Sequence, residues 1–333
     1  MNSSYFSQRG FTIIEIFISL AVGLGLMLGV LSVFVSMHRT TEETTGYGEL
    51  QENGRFAISL LTDDLLRQSF WGDLPDQFDF SLLMSSPDPA TVAGDCVGAG
   101  VNNASFPTAI GHFRTLWAVT ATGANNMGCI TNAKVDSDIL QIKRAVSLQT
   151  LPANIQNDRY YLISNANTGA VFAGTAAVPT VNFGNIWEYQ HHVYYVREES
   201  QGSEVVPVLV QGTLQNDGTN TMSLAMVVEG IEHIHYMFGV DTDNDSIVNA
   251  FISADNMLEA HWDNEANTRI LAVKVYVLVR EIFPDFQYEN LNTYQLGDKT
   301  LTFTDAEGNG DNYRRLLFSS TVTLHNARVD SWP

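Results

Sequence analysis

Hydrophobic positions along the 333-residue chain fall into two regimes: one unbroken apolar block near the start, then short runs separated by polar clusters. Residues 16–37, IFISLAVGLGLMLGVLSVFVSM, carry no formal charge. As a helix they are long enough to cross the ~30 Å hydrocarbon core of a bilayer. No proline occurs before Pro75, so nothing in the block forces a kink, although Gly23, Gly25 and Gly29 lower its helix propensity in water. In lipid, Gly25 and Gly29 instead form a GxxxG face for close helix contact. After His38 and Arg39 the pattern turns polar, and Thr40, Thr41, Thr44, Thr45, Gly46 and Gly48 predict a bend or partial melting near residues 44–48. Beyond it Ala57, Leu60, Leu61 and Leu65 recur at helical spacing, with Arg55, Asp63 and Asp64 assigned to the opposite face. This second half is predicted to be amphipathic and to lie on a sheet.

The rest of the chain reads as strands. Residues 139–142, 160–163, 192–196, 205–210, 231–238, 270–282 and 316–324 are β-branched or aromatic runs between Gly, Asn and Asp clusters. In AVKVYVLVR, Val273, Val275, Val277 and Val279 alternate and share one face. The expected architecture is one elaborated α+β domain whose antiparallel sheet covers the amphipathic helix, with loop insertions across residues 73–136.

Charge narrows the function. Lys plus Arg is 17 against 37 for Asp plus Glu, a formal net charge of -20, which argues against a nucleic-acid surface because phosphate binding needs concentrated cations. The sharpest acidic constellation is GVDTDNDSIVN, where Asp241, Asp243 and Asp245 alternate, followed by Ile247 and Asn249. Such a loop can wrap a calcium ion with side-chain oxygens and the Ile247 carbonyl. Yet Ser246 stands where an EF-hand has glycine, and Ile252 where it has glutamate, leaving Asp255 to compensate. The competing reading is a solvated turn, because Asp and Asn also favour turns. DAEGNGDN, residues 305–312, is read as a turn.

Cys96 and Cys129 flank a Gly- and Asn-rich insertion and show no CxxC spacing. They form either a disulfide worth about 3–4 kcal/mol or two buried thiols. His191, His192, His233 and His235 lack metal-ligand spacing, and no GxSxG, Walker or GxGxxG motif is present, so no enzyme activity is expected.

The apolar block is too long for an ordinary secretory signal and ends without a small-residue cleavage site. A polar leader, MNSSYFSQRG, precedes FTIIE, which puts Glu15 at the start of the apolar helix. A carboxylate there requires a cation or a polar partner. A cut between Gly10 and Phe11 would create an amino terminus one helical turn from Glu15.

RGFTIIE resembles the class III signal of type IV prepilins and type II secretion pseudopilins, in which a prepilin peptidase cuts after the glycine and methylates the new terminal residue. The resemblance implies cleavage between Gly10 and Phe11, N-methylation of Phe11, and a docking role for Glu15. Residues 50–72 (LQENGRFAISLLTDDLLRQSFWG), 137–145 (SDILQIKRA), 228–246 (VEGIEHIHYMFGVDTDNDS) and 313–328 (YRRLLFSSTVTLHNAR) further resemble the PilW group of minor pilins. That likeness implies a type IV pilin-like fold with a leader (1–10), a transmembrane and filament-core helix (11–38), an amphipathic extension (39–72) and a globular β-rich domain (73–333). The implied work is priming or assembly of type IV pili, with other minor pilins, the major pilin, prepilin peptidase and the inner-membrane assembly platform as partners. The implied setting is a single pass of a Gram-negative inner membrane with a periplasmic domain, and then the pilus. A type II secretion pseudopilin and a pilus-tip adhesion subunit are the alternatives. No cofactor is required on this reading, and calcium is the one optional ion.

Overall fold

The computed structural model describes residues 10–74, 80–83, 92–123, 125–202, 204–218, 222–265, 268–306 and 308–326. Leader residues 1–9, and the last two positions of the 313–328 motif, lie outside the described residues. The chain divides between Glu49 and Leu50 into two compact units.

Helix α1 (Ile13–Leu66) enters both units. In the first unit its apolar side chains are exposed throughout the predicted membrane segment. The melting expected near residues 44–48 does not occur, and the helix is unbroken there. The hydroxyls of Thr40, Thr41 and Thr44 donate to the carbonyls of Ser36, Met37 and Thr40 at 3.0, 2.9 and 2.7 Å. Bonded within the helix, these side chains no longer offer the backbone an alternative conformation.

The second unit keeps the last turns of α1, where Ala57, Leu61 and Leu65 of the predicted stripe are buried and Leu60 is half-buried, with Leu50 buried one turn and more before them. Two expectations are corrected. Asp64, assigned to the solvent face, is buried, because the sheet beneath it presents cationic and hydroxyl partners. The helix also stops at Leu66, short of residue 72, where the chain turns through Ser69 (φ 56°) and Gly72 (φ 65°).

Strands then follow in order: β1 (Leu116–Thr120), β2 (Asp138–Thr150), β3 (Tyr160–Ser164), β4 (Gly169–Ala173), β5 (Asn185–Gln201), β6 (Glu204–Leu214), β7 (Met222–Glu229), β8 (Ile231–Asp241), β9 (Ala250–Ser253), the short helix α2 (Glu259–Trp262), β10 (Arg269–Arg280), β11 (Thr293–Leu296), β12 (Lys299–Thr302) and β13 (Arg315–Thr323). Each of the seven runs read from the sequence lies in one of these strands, wholly or but for a residue or two. The single expected sheet is instead two antiparallel sheets and a hairpin. One sheet has seven strands, with β5 at its centre: its first half pairs β3, its second half β6, and its other edge β2. The second runs β13-β10-β8-β9, and β11 and β12 form the hairpin.

Alternation along the strands distributes side chains between cores. Leu140 and Ile142 of β2 and Tyr194 and Val196 of β5 join Ala57 and Leu61 of α1 in one cluster with the second sheet. Ile139, Ala145, Val193 and Tyr195 point to the opposite face, which is covered by Trp71, just after α1, and by Phe106 and Phe113 of the insertion. The valines at 273, 275, 277 and 279 of β10 all enter the first cluster, beside Ile234, Tyr236 and Phe238 of β8. The other face of β10 receives the hairpin through Leu278, Tyr294 and Leu296.

Candidate functional site

Gly10 and Phe11 are exposed ahead of α1. Thr12 is the residue just before the helix, and its hydroxyl accepts from the Glu15 backbone N–H at 3.3 Å. The Glu15 carboxylate accepts in return from the Thr12 N–H and hydroxyl, each at 2.9 Å. This reciprocal pair is a capping box, which satisfies donors that every helix start leaves open. The signal for it is the Thr-x-x-Glu spacing in FTIIE, which the expected pairing of Glu15 with the Phe11 amine leaves out. Along the exposed helix, a Cβ on Gly23, Gly25 or Gly29 would meet nothing within 4 Å. The helix is long and apolar enough to cross a membrane.

The acidic loop lies between β8 and β9. Asp241 accepts from the backbone N–H groups of Asp243 and Asn244 at 3.1 and 2.8 Å on one oxygen and from Ser246 at 2.8 Å on the other. Burial opposes its charge, but these three donors outweigh it and hold the carboxyl below the usual carboxylate range. Ser246 occupies the left-handed conformation (φ 65°), the geometry for which an EF-hand uses glycine. Oxygens of Asp241, Asp243 and Asp245 lie within 4.8 Å of one another, a group that does not include Asp255. Asn249 turns its carbonyl oxygen to the Thr242 N–H at 2.7 Å. At the DAEGNGDN stretch the described residues bend as in a turn: the Asp305 carboxylate accepts from the Asn309 N–H at 2.8 Å and the Asp305 carbonyl from the Gly308 N–H at 3.2 Å.

In the insertion, Cys96 and Cys129 are joined by a disulfide, with Cα atoms 5.0 Å apart. The four histidines singled out in the sequence are all buried. His191 accepts from the Gln141 amide at 2.9 Å, which leaves its Nδ1–H to donate to Ser105 Oγ at 2.7 Å; that hydroxyl donates to Asp95 at 2.5 Å. Serine, histidine and aspartate thus meet, but the proton order is the reverse of a nucleophilic triad. Burial, with Lys143 and His192 nearby, keeps His191 well below the usual histidine range. His233 is pushed down to about 4, chiefly by burial and Lys299. For His235 burial is outweighed by Asp138 and Asp298, at 2.9 and 2.8 Å, and its pKa is raised.

A further cluster escaped sequence reading because its members are remote in sequence. Asp64 of α1 receives Arg144 Nε at 2.6 Å, His192 Nδ1 at 2.8 Å and the Tyr194 hydroxyl at 2.9 Å. It fastens the helix end to β2 and β5.

Among known proteins, the model of the family described as Type IV Pilus-assembly protein W, PilW, matches residues 193–326, about two fifths of the chain. The match runs from the second half of β5 through β13 and so contains the second sheet and the acidic loop. Neither the curated proteins nor the solved structures contain a match.

Proposed function

We propose, for a chain that carries a PilW domain over residues 193–326 and hence a role in type IV pilus assembly, that it acts as a minor pilin cut between Gly10 and Phe11. Its fold is read as an elaborated pilin: α1 is the membrane and filament helix, and the sheets around its last turns form the part that meets other pilins. Phe11 becomes the methylated terminus. The protein waits in the inner membrane with its second unit in the periplasm, and then joins other minor pilins and the major pilin at the assembly platform. Calcium on Asp241, Asp243, Asp245, Ile247 and Asn249 is an optional part of the same proposal.

The observation that carries the reading is the start of α1. Gly10 and Phe11 stand outside the helix, open to a peptidase, while Glu15 heads the exposed apolar turns. Removing the leader leaves the Thr12 N–H in place, so the capping box survives the cut, and the only new group is the Phe11 amine. Glu15 therefore has a local partner during residence in the membrane and a charged one on arrival in the filament. Desolvation of the carboxylate is offset at each stage.

Glu15→Gln separates the two roles, because glutamine also closes a capping box but carries no charge. Mass spectrometry of the amino terminus should find the variant cut at Phe11 as efficiently as the parent, while its amount in sheared pili falls by about an order of magnitude. Thr12→Ala should do the reverse, fraying the first turn by about 1 kcal/mol with incorporation largely retained. Equal incorporation of Glu15→Gln and the parent protein would remove the charge from the mechanism. A null strain that keeps its pili but loses protein export would move the chain to a secretion machine.

A further inference from the structure

The insertion is held on the seven-stranded sheet by a buried polar layer, and one member of that layer is a lysine. Lys143 of β2 is fully enclosed. Its Nζ donates to the side-chain oxygen of Asn103 at 2.7 Å and to the Arg114 carbonyl at 2.9 Å, and it stands 4.6 Å from the centre of the Phe113 ring. Among the described residues no carboxylate lies within ion-pair distance of it. Burial drives the amine well below the usual lysine range, with Asp95 opposing and Arg114 reinforcing the shift. A desolvated, neutral lysine is a nucleophile.

Asn103 is equally enclosed. Its amide nitrogen donates to the Ala99 carbonyl at 3.0 Å, which fixes the plane of the carboxamide. A Cβ on Gly98 would overlap that amide nitrogen at 2.1 Å, so this approach requires glycine there. Amines and carboxamides barely react in dilute solution, but enclosing the two side by side removes the entropic cost of bringing them together, an effect that reaches about 10⁵–10⁸ M where the reacting atoms are fully aligned.

We propose that Lys143 and Asn103 are joined in the mature protein by an intramolecular isopeptide bond. The Lys143 nitrogen lone pair attacks Asn103 Cγ and forms the new C–N bond. The Cγ–Nδ2 bond then breaks, and the departing nitrogen takes the proton released by the lysine amine and leaves as ammonia. No oxidant, reductant or co-reactant is needed. The closed segment, 40 residues in separation, overlaps the one closed by Cys96 and Cys129, 33 in separation. The insertion would therefore stay tied to β2 after the disulfide is reduced.

The test is the intact mass of the full chain, purified in detergent from membranes and fully reduced. Allowing for processing at the amino terminus, the mass should be lower than that of the sequence by one ammonia in essentially every molecule. Peptide mapping should recover the segments containing Asn103 and Lys143 as one branched species. Lys143→Met should restore the missing ammonia. An unshifted mass with Lys143 in an ordinary linear peptide overturns the proposal, and so does an ammonia loss that maps to any other asparagine. The measurement on the parent chain decides the matter even where the variant fails to fold.

Discussion

Near the start of α1, Glu15 is exposed and answered by Thr12, three residues away; near the end of the same helix, Asp64 is enclosed and answered from β2 and β5, 80 to 130 residues on. The two acids share a helix and differ in every partner. Glu15 is satisfied within a single helical turn, by the residue that caps its own helix. Asp64 is part of the second unit's core, where each of its hydrogen bonds compensates a group that water no longer reaches. An acid at an exposed helix start is satisfied by its own turn, and one that holds elements together is satisfied at long range.

Removing Asp64 should have the largest effect. Asp64→Ala leaves Arg144 buried without its counter-charge and should cost about 3–5 kcal/mol in denaturant unfolding of the second unit's signal. A loss below 1 kcal/mol would mean that water or another acid replaces it. The pH dependence has a defined sign. Burial raises the Asp64 pKa, but the hydrogen bond and charge of His192 and the charge and hydrogen bond of Arg144 outweigh it, so the folded value lies below the ordinary one. A depressed folded pKa adds stability that is fully present above the unfolded value, roughly 4, and drains away as pH falls toward the folded value. Asp64→Asn should flatten that acid limb. Glu15→Gln should leave it unchanged.

The helix glycines sharpen the same contrast at smaller scale. A Cβ on Gly54 would lie 2.2 Å from the Phe318 ring of β13, while Gly25 and Gly29 face open space. Gly54→Ala should therefore cost about 1–3 kcal/mol through overpacking. Alanine at Gly25 or Gly29 should strengthen the free helix by about 1 kcal/mol each. Thermal unfolding in detergent, followed by circular dichroism, separates the two directions. If all three substitutions stabilise, Phe318 swings aside and α1 is not seated closely on the sheet.

Much of this fold was legible in the pattern of residues. The seven strand runs, the shared face of the β10 valines and the buried stripe of Ala57, Leu61 and Leu65 follow from period alone. β1, β4, β7, β9 and the hairpin strands did not register, since LWAVT, GAVFA, AFIS and KTLT are short and lack a clear alternation, and β7 is an edge strand with Leu224 and Met226 exposed. The division into two sheets was also hidden, because runs of the same composition belong to both. At the site, Glu15 stood out as a charge before an apolar block, and the acidic loop by its spacing. Asp64, Asn103 and Lys143 could not stand out, for a polar residue in a strand or helix shows its partner only once the chain has folded.

The smallest expected effect comes from a third acid, Asp241, which like Glu15 is satisfied by its own neighbours. Its loop requires Ser246 at φ 65°, a conformation that costs a side-chain-bearing residue about 1–2 kcal/mol. Glycine removes that strain but loses about 0.5–1 kcal/mol of backbone entropy, so Ser246→Gly should stabilise the second unit by only about 0.5 kcal/mol. The same variant tests the proposed ion. Calcium at millimolar concentration should raise the melting temperature of the parent chain, a chelator should reverse the rise, and the glycine variant should gain at least as much. A melting temperature indifferent to both would leave Asp241 with its backbone donors alone, a locally capped acid like Glu15. Asp64 would then remain as the acid in this comparison whose partners come from across the fold.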